Sequence, residues 1–475
     1  MAQRRKVVLY NPQAPFFTFP LPLLAISTMI DRQQYDIEIV DARIEKEPHD
    51  KVLRSLNDAI CVGVTVLSGS PIRDALQLTK KVKEAAPQVP VVWGGWHPSI
   101  FPEQCLIEGL ADITVLGQGE ITFAEVVQNL SSHGDLARCL GIAYRDRSGV
   151  HRNPERPFAS ISSFPRYEYD LIPVERYFAR KGVRQIDYYS SQGCPYRCSF
   201  CADPMVFNRK WSGLSAARIL DEISDLTHRF KATEVFFHDE TFFVNQKRVL
   251  ELSHGLLERG SGITWAAAAR ADQISRLTDD MVALIKRANC RKVVVGAESG
   301  SQSMLDRIQK DTLVEETILS AEKLHRFGIG ALFNFIVGFP EEEETEFRQT
   351  LAAIRHIISV DPSFEFSIFF YTPYPGTEIY SSLERRNYRL PRTLRDWSSF
   401  DYILSTGYWV PEERKEIVER FKFYHKIAFA HHKRWFLKPL HTLSRLRCKH
   451  QFYKYPFEQR LGQLVRHEFL NKLNW

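Results

Sequence analysis

The 475-residue chain is 44% hydrophobic and 25% charged, enough apolar content for two or three buried cores. No apolar run approaches the roughly 18 residues of a membrane span. The basic start Arg4-Arg5-Lys6 meets Asn11-Pro12 too soon for a signal peptide, so neither is expected. Eight cysteines, three of them crowded between Cys194 and Cys201, do not make the disulfide framework of a small secreted protein and point to a reducing cytoplasm. The formal charge of +6 is uneven: residues 411–475 hold 15 Lys or Arg against 6 Asp or Glu, leaving the remainder slightly acidic. Such a tail suits nucleic acid, a membrane surface or an acidic substrate, and equally a solvated helical face.

From the start, β-rich runs at residues 6–10, 36–40, 59–66, 90–93 and 113–116 alternate with helical patterns. The clearest helix is 71–86, with Ile72, Ala75, Leu76, Leu78, Thr79 and Val82 near one face. Five buried strands with helical crossovers predict an α/β, doubly wound parallel sheet, Rossmann-like, over residues 1–135. A hairpin at 140–150 and a proline-bearing stretch from Pro154 to Pro173 make 136–175 the boundary. Alternation resumes with strands at 185–190, 234–238, 264–268, 292–296, 331–336 and 365–370, which predicts a partial (β/α)6 barrel over 176–390. Beyond 390 the strand signal fades and 412–435 reads as helix, so 391–475 is expected to be mainly helical.

After the first strand of the second unit comes Ser190-Ser191-Gln192-Gly193-Cys194-Pro195-Tyr196-Arg197-Cys198-Ser199-Phe200-Cys201, a C-x-x-x-C-x-x-C spacing. Thiolates this close on a loop can face one centre, as iron–sulfur ligation requires, and three ligands leave one iron of a four-iron cluster open. A zinc site would need a fourth ligand, for which His238 is the nearest candidate on a strand end.

This segment, with an aromatic residue immediately before the third cysteine, resembles the signature of the radical S-adenosylmethionine (radical SAM) superfamily. The resemblance implies that Cys194, Cys198 and Cys201 hold a 4Fe-4S cluster, with Phe200 beside it, and that SAM chelates the open iron. Reduction of the cluster would then cleave SAM to a 5′-deoxyadenosyl radical, and a donor such as flavodoxin or ferredoxin would supply the electron. Polar and glycine-rich elements follow successive strands: His238-Asp239-Glu240-Thr241, Arg270, Gly296-Ala297-Glu298-Ser299-Gly300, Gly338-Phe339-Pro340-Glu341, and Tyr371 to Thr377. By the resemblance, Glu298 meets the SAM ribose, Asp239 or Glu240 the SAM amino group, and Arg270 the SAM carboxylate. Asp239 and Glu240 also suit a helix cap, and Glu298 a turn between glycines. Tyr371 and Tyr374 are expected to shape the barrel mouth.

A doubly wound sheet binds ligands at the carboxyl ends of its strands. No G-x-G-x-x-G follows the first strand, which argues against NAD or FAD despite Asp41 after the second. The other loops hold Thr65 with Ser68, then Gly94-Gly95-Trp96-His97, then Gly117-Gln118-Gly119-Glu120, where glycine lets backbone approach a bulky ligand. This stretch resembles the cobalamin (B12) binding domain fused to many radical SAM enzymes, the class B methyltransferases among them. In that resemblance Thr65, Ser68, Gly94, Gly95, Gly117 and Gly119 line the cofactor site. The D-x-H-x-x-G element that carries a cobalt-ligating histidine is absent, Asp41-Ala42-Arg43 standing nearest, and His97 is not expected to ligate cobalt.

The architecture implies methyl transfer from SAM, by way of the corrinoid, to an unactivated carbon. Radical rearrangement, cyclisation or carbon–carbon coupling is the alternative. Methylthiolation would need Cys61, Cys105 and Cys139 as a second cluster, yet Cys61 lies within a strand. A non-catalytic iron–sulfur protein is the remaining class. The tail joins its positive balance to twelve aromatics, including Trp435, Phe436, Phe452, Tyr453, Tyr455 and Phe457, which predicts peripheral membrane contact and a lipid-like or other small-molecule substrate. Packing of those rings onto the barrel is the competing expectation, and no nucleic acid partner is expected.

Overall fold

The computed structural model describes residues 5–400, 407–428, 438–450, 452–453 and 455–458. Five strands open the chain: β1 (Arg5–Asn11), β2 (Tyr35–Asp41), β3 (Ala59–Thr65), β4 (Val91–Gly94) and β5 (Ile113–Val115). They pair in parallel in the order β2-β1-β3-β4-β5. Successive side chains of a strand point to opposite faces, and Val7 to Tyr10 are all buried, so both faces of this sheet are covered. Val7 and Leu9 join one apolar core, Val8 and Tyr10 another. The helix Ser70–Ala85 lays Ile72, Ala75, Leu78, Thr79 and Val82 against the second face, as its spacing requires. Strand order reverses between β1 and β3, which opens a crevice at their carboxyl ends.

The expected hairpin forms β6 (Ile142–Asp146) and β7 (Gly149–Arg152). It does not stand apart, because β6 pairs antiparallel with β5 and extends the sheet to seven strands. The pairing covers an edge of β5 that would otherwise expose unpaired amides and carbonyls.

The second sheet begins with β8 (Gln185–Tyr188). A short antiparallel ribbon follows, β9 (Ser191–Gly193) and β10 (Trp211–Gly213), which the sequence did not announce. The sheet continues with β11 (Glu234–Phe237), β12 (Thr264–Arg270), β13 (Cys290–Glu298), β14 (Gly330–Val337) and β15 (Glu365–Phe370). All neighbours are parallel, from β8 at one edge to β15 at the other, and those two edges do not pair. The barrel is therefore open.

After the barrel the chain serves both units. Tyr380, Leu394 and Trp397 return to the core on the second face of the first sheet, beside Val62 and Trp93. The helix Glu412–Ala428 packs on β15, with the rings of Phe421 and His425 centred 5.7 and 5.9 Å from that of Phe366. Phe421, Tyr424 and Tyr453 are buried while Phe452, Tyr455 and Phe457 are exposed. Trp435 and Phe436 lie outside the described residues. Cys61 and Cys139 sit in one apolar core and Cys105 in the other, as small hydrophobes rather than as a second ligand set.

Candidate active site

Cys194, Cys198 and Cys201 ride on the loop that leaves β9, at the carboxyl end of the second sheet. Gly193 enters that loop at φ +79°, and a Cβ there would stand 2.2 Å from the Lys210 carbonyl oxygen, so only glycine fits. The Cys201 N–H donates to the Cys198 carbonyl at 3.1 Å, and the Ser199 N–H to the Ile308 carbonyl at 3.0 Å. Burial pushes the Cys194 thiol up to about 12 and that of Cys201 higher still, with the neighbouring thiols adding to the effect. Both would shed protons on taking up iron.

Arg270, the last residue of β12, donates from Nη1 to Cys198 Sγ at 3.6 Å and from Nε to Asp272 at 3.0 Å. Its guanidinium lies 3.8 Å from the centre of the Tyr196 ring. Three soft sulfur donors on one loop with a buried cation beside them fit an anionic iron–sulfur cluster. His238 is not turned to the cysteines, because its Nε2 bonds to Asp187 at 2.9 Å. Among the described residues, no three His, Cys, Asp or Glu side chains gather around a single-ion site.

The other expected SAM-site residues divide by what already occupies them. Asp239 is spent on the protein: it accepts the Ser190 N–H at 2.7 Å and the Ser190 and Ser191 hydroxyls at 2.6 and 2.5 Å, and pairs with Arg248 at 3.4 Å. Glu240 Oε2 is buried without a hydrogen-bond partner, and burial together with the nearby Asp203 carboxylate pushes its pKa up to about 8. Asp203 escaped the sequence reading, although it stands two residues past the third cysteine. Burial, partly offset by the Cys194 N–H, lifts it to about 7. Glu298 ends β13 at φ +61°, and Lys310, itself buried, donates to its Oε1 at 2.7 Å. Phe200 meets Phe339 edge-on at 6.2 Å, and Phe339 stacks on Tyr371 at 4.6 Å, forming an apolar wall behind the loop.

A cavity of about 540 Å³ lies where the two sheets face each other. Asn11, Thr65, Gly94, Gly95, Gly117 and Gly119 line it from the first sheet; Ser191, Gln192, His238, Glu240 and Tyr374 line it from the second. The loop after β1 adds Phe16 and Phe19, and the helix that follows it adds Leu21. Gly95 has φ +102°, and a Cβ there would come within 2.9 Å of the Val66 carbonyl. This largely apolar crevice at the β1/β3 switch point, floored by glycine backbone, fits a bulky flat ligand such as a corrinoid. Ser68 does not line it; its hydroxyl pairs with His97 Nδ1 at 2.9 Å. His97 is fully buried, and burial pushes its pKa down to about 4. Asp41 is engaged by Arg43 at 3.0 and 2.8 Å and by the Tyr177 hydroxyl at 2.6 Å, which leaves no free carboxylate for a ribose.

A polar bridge crosses between the sheets beside this cavity, and nothing in the residue spacing revealed it. Gln118 Nε2 donates to Gln192 Oε1 at 2.7 Å, and Gln192 Nε2 to Glu120 Oε1 at 3.3 Å. Gln192 stands two residues before Cys194, so the bridge ties the glycine loop after β5 to the cysteine loop.

Comparison with known proteins agrees with this division. A radical SAM superfamily domain matches residues 188–354 and a B12 binding domain residues 9–127. An uncharacterized methyltransferase of Pyrococcus horikoshii, PH0819, is 30% identical over 405 residues, 84% of this chain and 86% of that one. An anaerobic magnesium-protoporphyrin IX monomethyl ester cyclase of Synechocystis is 26% identical over 80% of this chain and 76% of its own length. The solved structure of the cobalamin-dependent S-adenosylmethionine radical enzyme OxsB with aqua-cobalamin bound superposes with a TM-score of 0.76 at 18% identity, over 99% of this chain and 75% of that one, and so shares the fold.

Proposed function

The chain belongs to the radical SAM enzymes that carry a B12-binding domain, and on that premise we propose that it transfers a methyl group from SAM to an unactivated carbon of a small or lipid-like substrate. Its cofactors are a 4Fe-4S cluster, SAM and cobalamin. When bound, the cluster supplies the electron for SAM cleavage and the corrinoid carries the methyl group. Cys194, Cys198 and Cys201 hold the cluster, and Arg270 offsets its negative charge. Glu240, rather than the fully engaged Asp239, receives the SAM amino group, and Glu298 receives the ribose. Thr65, Gly94, Gly95, Gly117 and Gly119 seat the corrin ring, while Ser68 acts one step back by fixing His97.

The observation that carries this reading is the shared cavity. The glycine loops of the first sheet line one space with Glu240 and with Ser191 and Gln192, which lead into the cysteine loop, so corrinoid chemistry and SAM chemistry meet over one substrate. Anaerobic turnover with methyl-labelled SAM tests it. The expected result is label in product carbon, with one 5′-deoxyadenosine and one S-adenosylhomocysteine per product. Formation of 5′-deoxyadenosine alone, with no methyl gain, would establish the second reading, cyclisation, rearrangement or coupling, which the likeness to the cyclase favours.

Leu443 and Leu446 on the cationic helix Lys438–His450, and Phe452, Tyr455 and Phe457 just after it, are each at least 40% exposed. We place the protein in the cytoplasm with this surface against anionic lipid. No helix among the described residues is long and apolar enough to cross a membrane. Sedimentation with liposomes should rise with anionic lipid content and fall with salt; indifference to anionic liposomes at low salt would end the membrane proposal.

A further inference from the structure

The cavity between the sheets is mostly apolar and glycine-lined, yet one wall carries a built polar device that none of the cofactor assignments uses. Asp187, on β8 and 1% exposed, accepts Lys181 Nζ at 2.6 Å and His238 Nε2 at 2.9 Å on one oxygen, and the Phe19 N–H at 2.7 Å on the other. Burial alone would raise its pKa, but His238 and Lys181 outweigh that and hold it below the usual carboxylate value. An ionised carboxylate only accepts hydrogen bonds, so the ring nitrogen facing it, Nε2, carries hydrogen. In the neutral ring that leaves Nδ1 with a lone pair. Nδ1 has no protein partner among the described residues and is not sealed from solvent, while His238 itself lines the cavity. Phe236, 4.5 Å away, and Tyr189, 6.5 Å away edge-on, fix the plane of the ring.

We infer that His238, locked in one tautomer by Asp187, is a hydrogen-bond acceptor for a carboxamide N–H on the rim of the corrin ring. The inference rests on the cobalamin reading and deepens it. The periphery of a corrinoid carries primary carboxamides whose N–H groups need acceptors once they leave water. His238 is the one histidine lining the cavity among the described residues, and it stands on the wall opposite the glycine loops. It therefore fixes the orientation of the corrin ring relative to the barrel, without ligating cobalt.

The test compares two corrinoids on the full-length protein without SAM or substrate: dicyanocobinamide, which retains the carboxamides, and dicyanocobyrinic acid heptamethyl ester, in which esters replace them. Binding of the first by the unaltered protein checks the cobalamin reading separately; if neither corrinoid binds, that reading has failed, not the His238 contact alone. His238→Gln keeps an N–H near Asp187 but deletes the Nδ1 acceptor, while His238→Asn keeps a polar atom near the Nδ1 position. The expected result is that His238→Gln binds the carboxamide corrinoid about fivefold to tenfold more weakly and the ester unchanged, with His238→Asn between the two. Equal losses for both corrinoids, or none for either, would overturn the inference, as would nitrogen coupling from a protein imidazole in the spectrum of the Co(II) protein.

Discussion

Replacing Asp239 with alanine removes the acceptor around which the start of the cysteine loop is folded. Its carboxylate takes three short hydrogen bonds, from the Ser190 N–H and the Ser190 and Ser191 hydroxyls, and faces Arg248 at 3.4 Å, with the two charged side chains 0% and 5% exposed. Deleting one partner of a buried ion pair costs about 3–5 kcal/mol, because the remaining charge has neither water nor counterion. Arg248 keeps two carbonyl acceptors, Ser190 at 2.8 Å and Phe242 at 3.0 Å, which argues for the lower end. A loss of about 3 kcal/mol makes local opening roughly a hundredfold more frequent. Asp239→Asn keeps one acceptor oxygen and turns an NH₂ toward the donors, so about 1–3 kcal/mol is expected. A melting temperature is the wrong readout in a chain with more than one sheet. Amide hydrogen exchange over residues 188–203 and iron content per chain read the effect where it arises. The alanine variant should exchange about two orders of magnitude faster there and lose iron on gel filtration. Unchanged exchange with four iron atoms retained would refute the anchoring role, and Asp239 would return as a candidate SAM ligand.

Three further outcomes follow from the geometry. Gly193→Ala places a Cβ 2.2 Å from the Lys210 carbonyl at a left-handed φ, and should abolish cluster retention in a protein whose far-ultraviolet circular dichroism is unchanged. Lys310→Met strands the buried Glu298 carboxylate, and should weaken SAM binding at least tenfold by equilibrium dialysis, with Lys310→Arg restoring part of it. Burial holds His425 at about 4, below the ordinary value near 6.5, so the folded state keeps it neutral while the unfolded chain takes a proton as pH falls below 6.5. Stability is therefore present above that value and lost toward pH 4, about 2 kcal/mol by pH 5. Proteolysis of the helix Glu412–Ala428 should quicken at pH 5 in the native protein and not in His425→Phe.

Much of this protein was written locally in its sequence. The short β-rich apolar runs placed strands β1 to β5 to within a residue or two, because a strand buried on both faces must be apolar at successive positions whatever surrounds it. The C-x-x-x-C-x-x-C spacing singled out its loop because close thiols on one turn are a local fact. What the sequence could not show is which polar atoms find partners across the fold. Asp239 and Glu240 are adjacent and chemically alike; only the positions of Ser190, Ser191 and Arg248 satisfy one and leave an oxygen of the other bare. The hairpin at β6 and β7 looked independent until the free edge of β5 claimed it. Gln118 and Gln192 stand 74 residues apart on different sheets, so their hydrogen bond exists only once the two sheets are face to face, and His238 and Asp187, 51 apart, meet only because β11 pairs with β8. Periodicity and spacing report on neighbours along the chain, whereas the cavity and the polar bridge beside it are made by packing two sheets together, and that is a property of the tertiary structure alone.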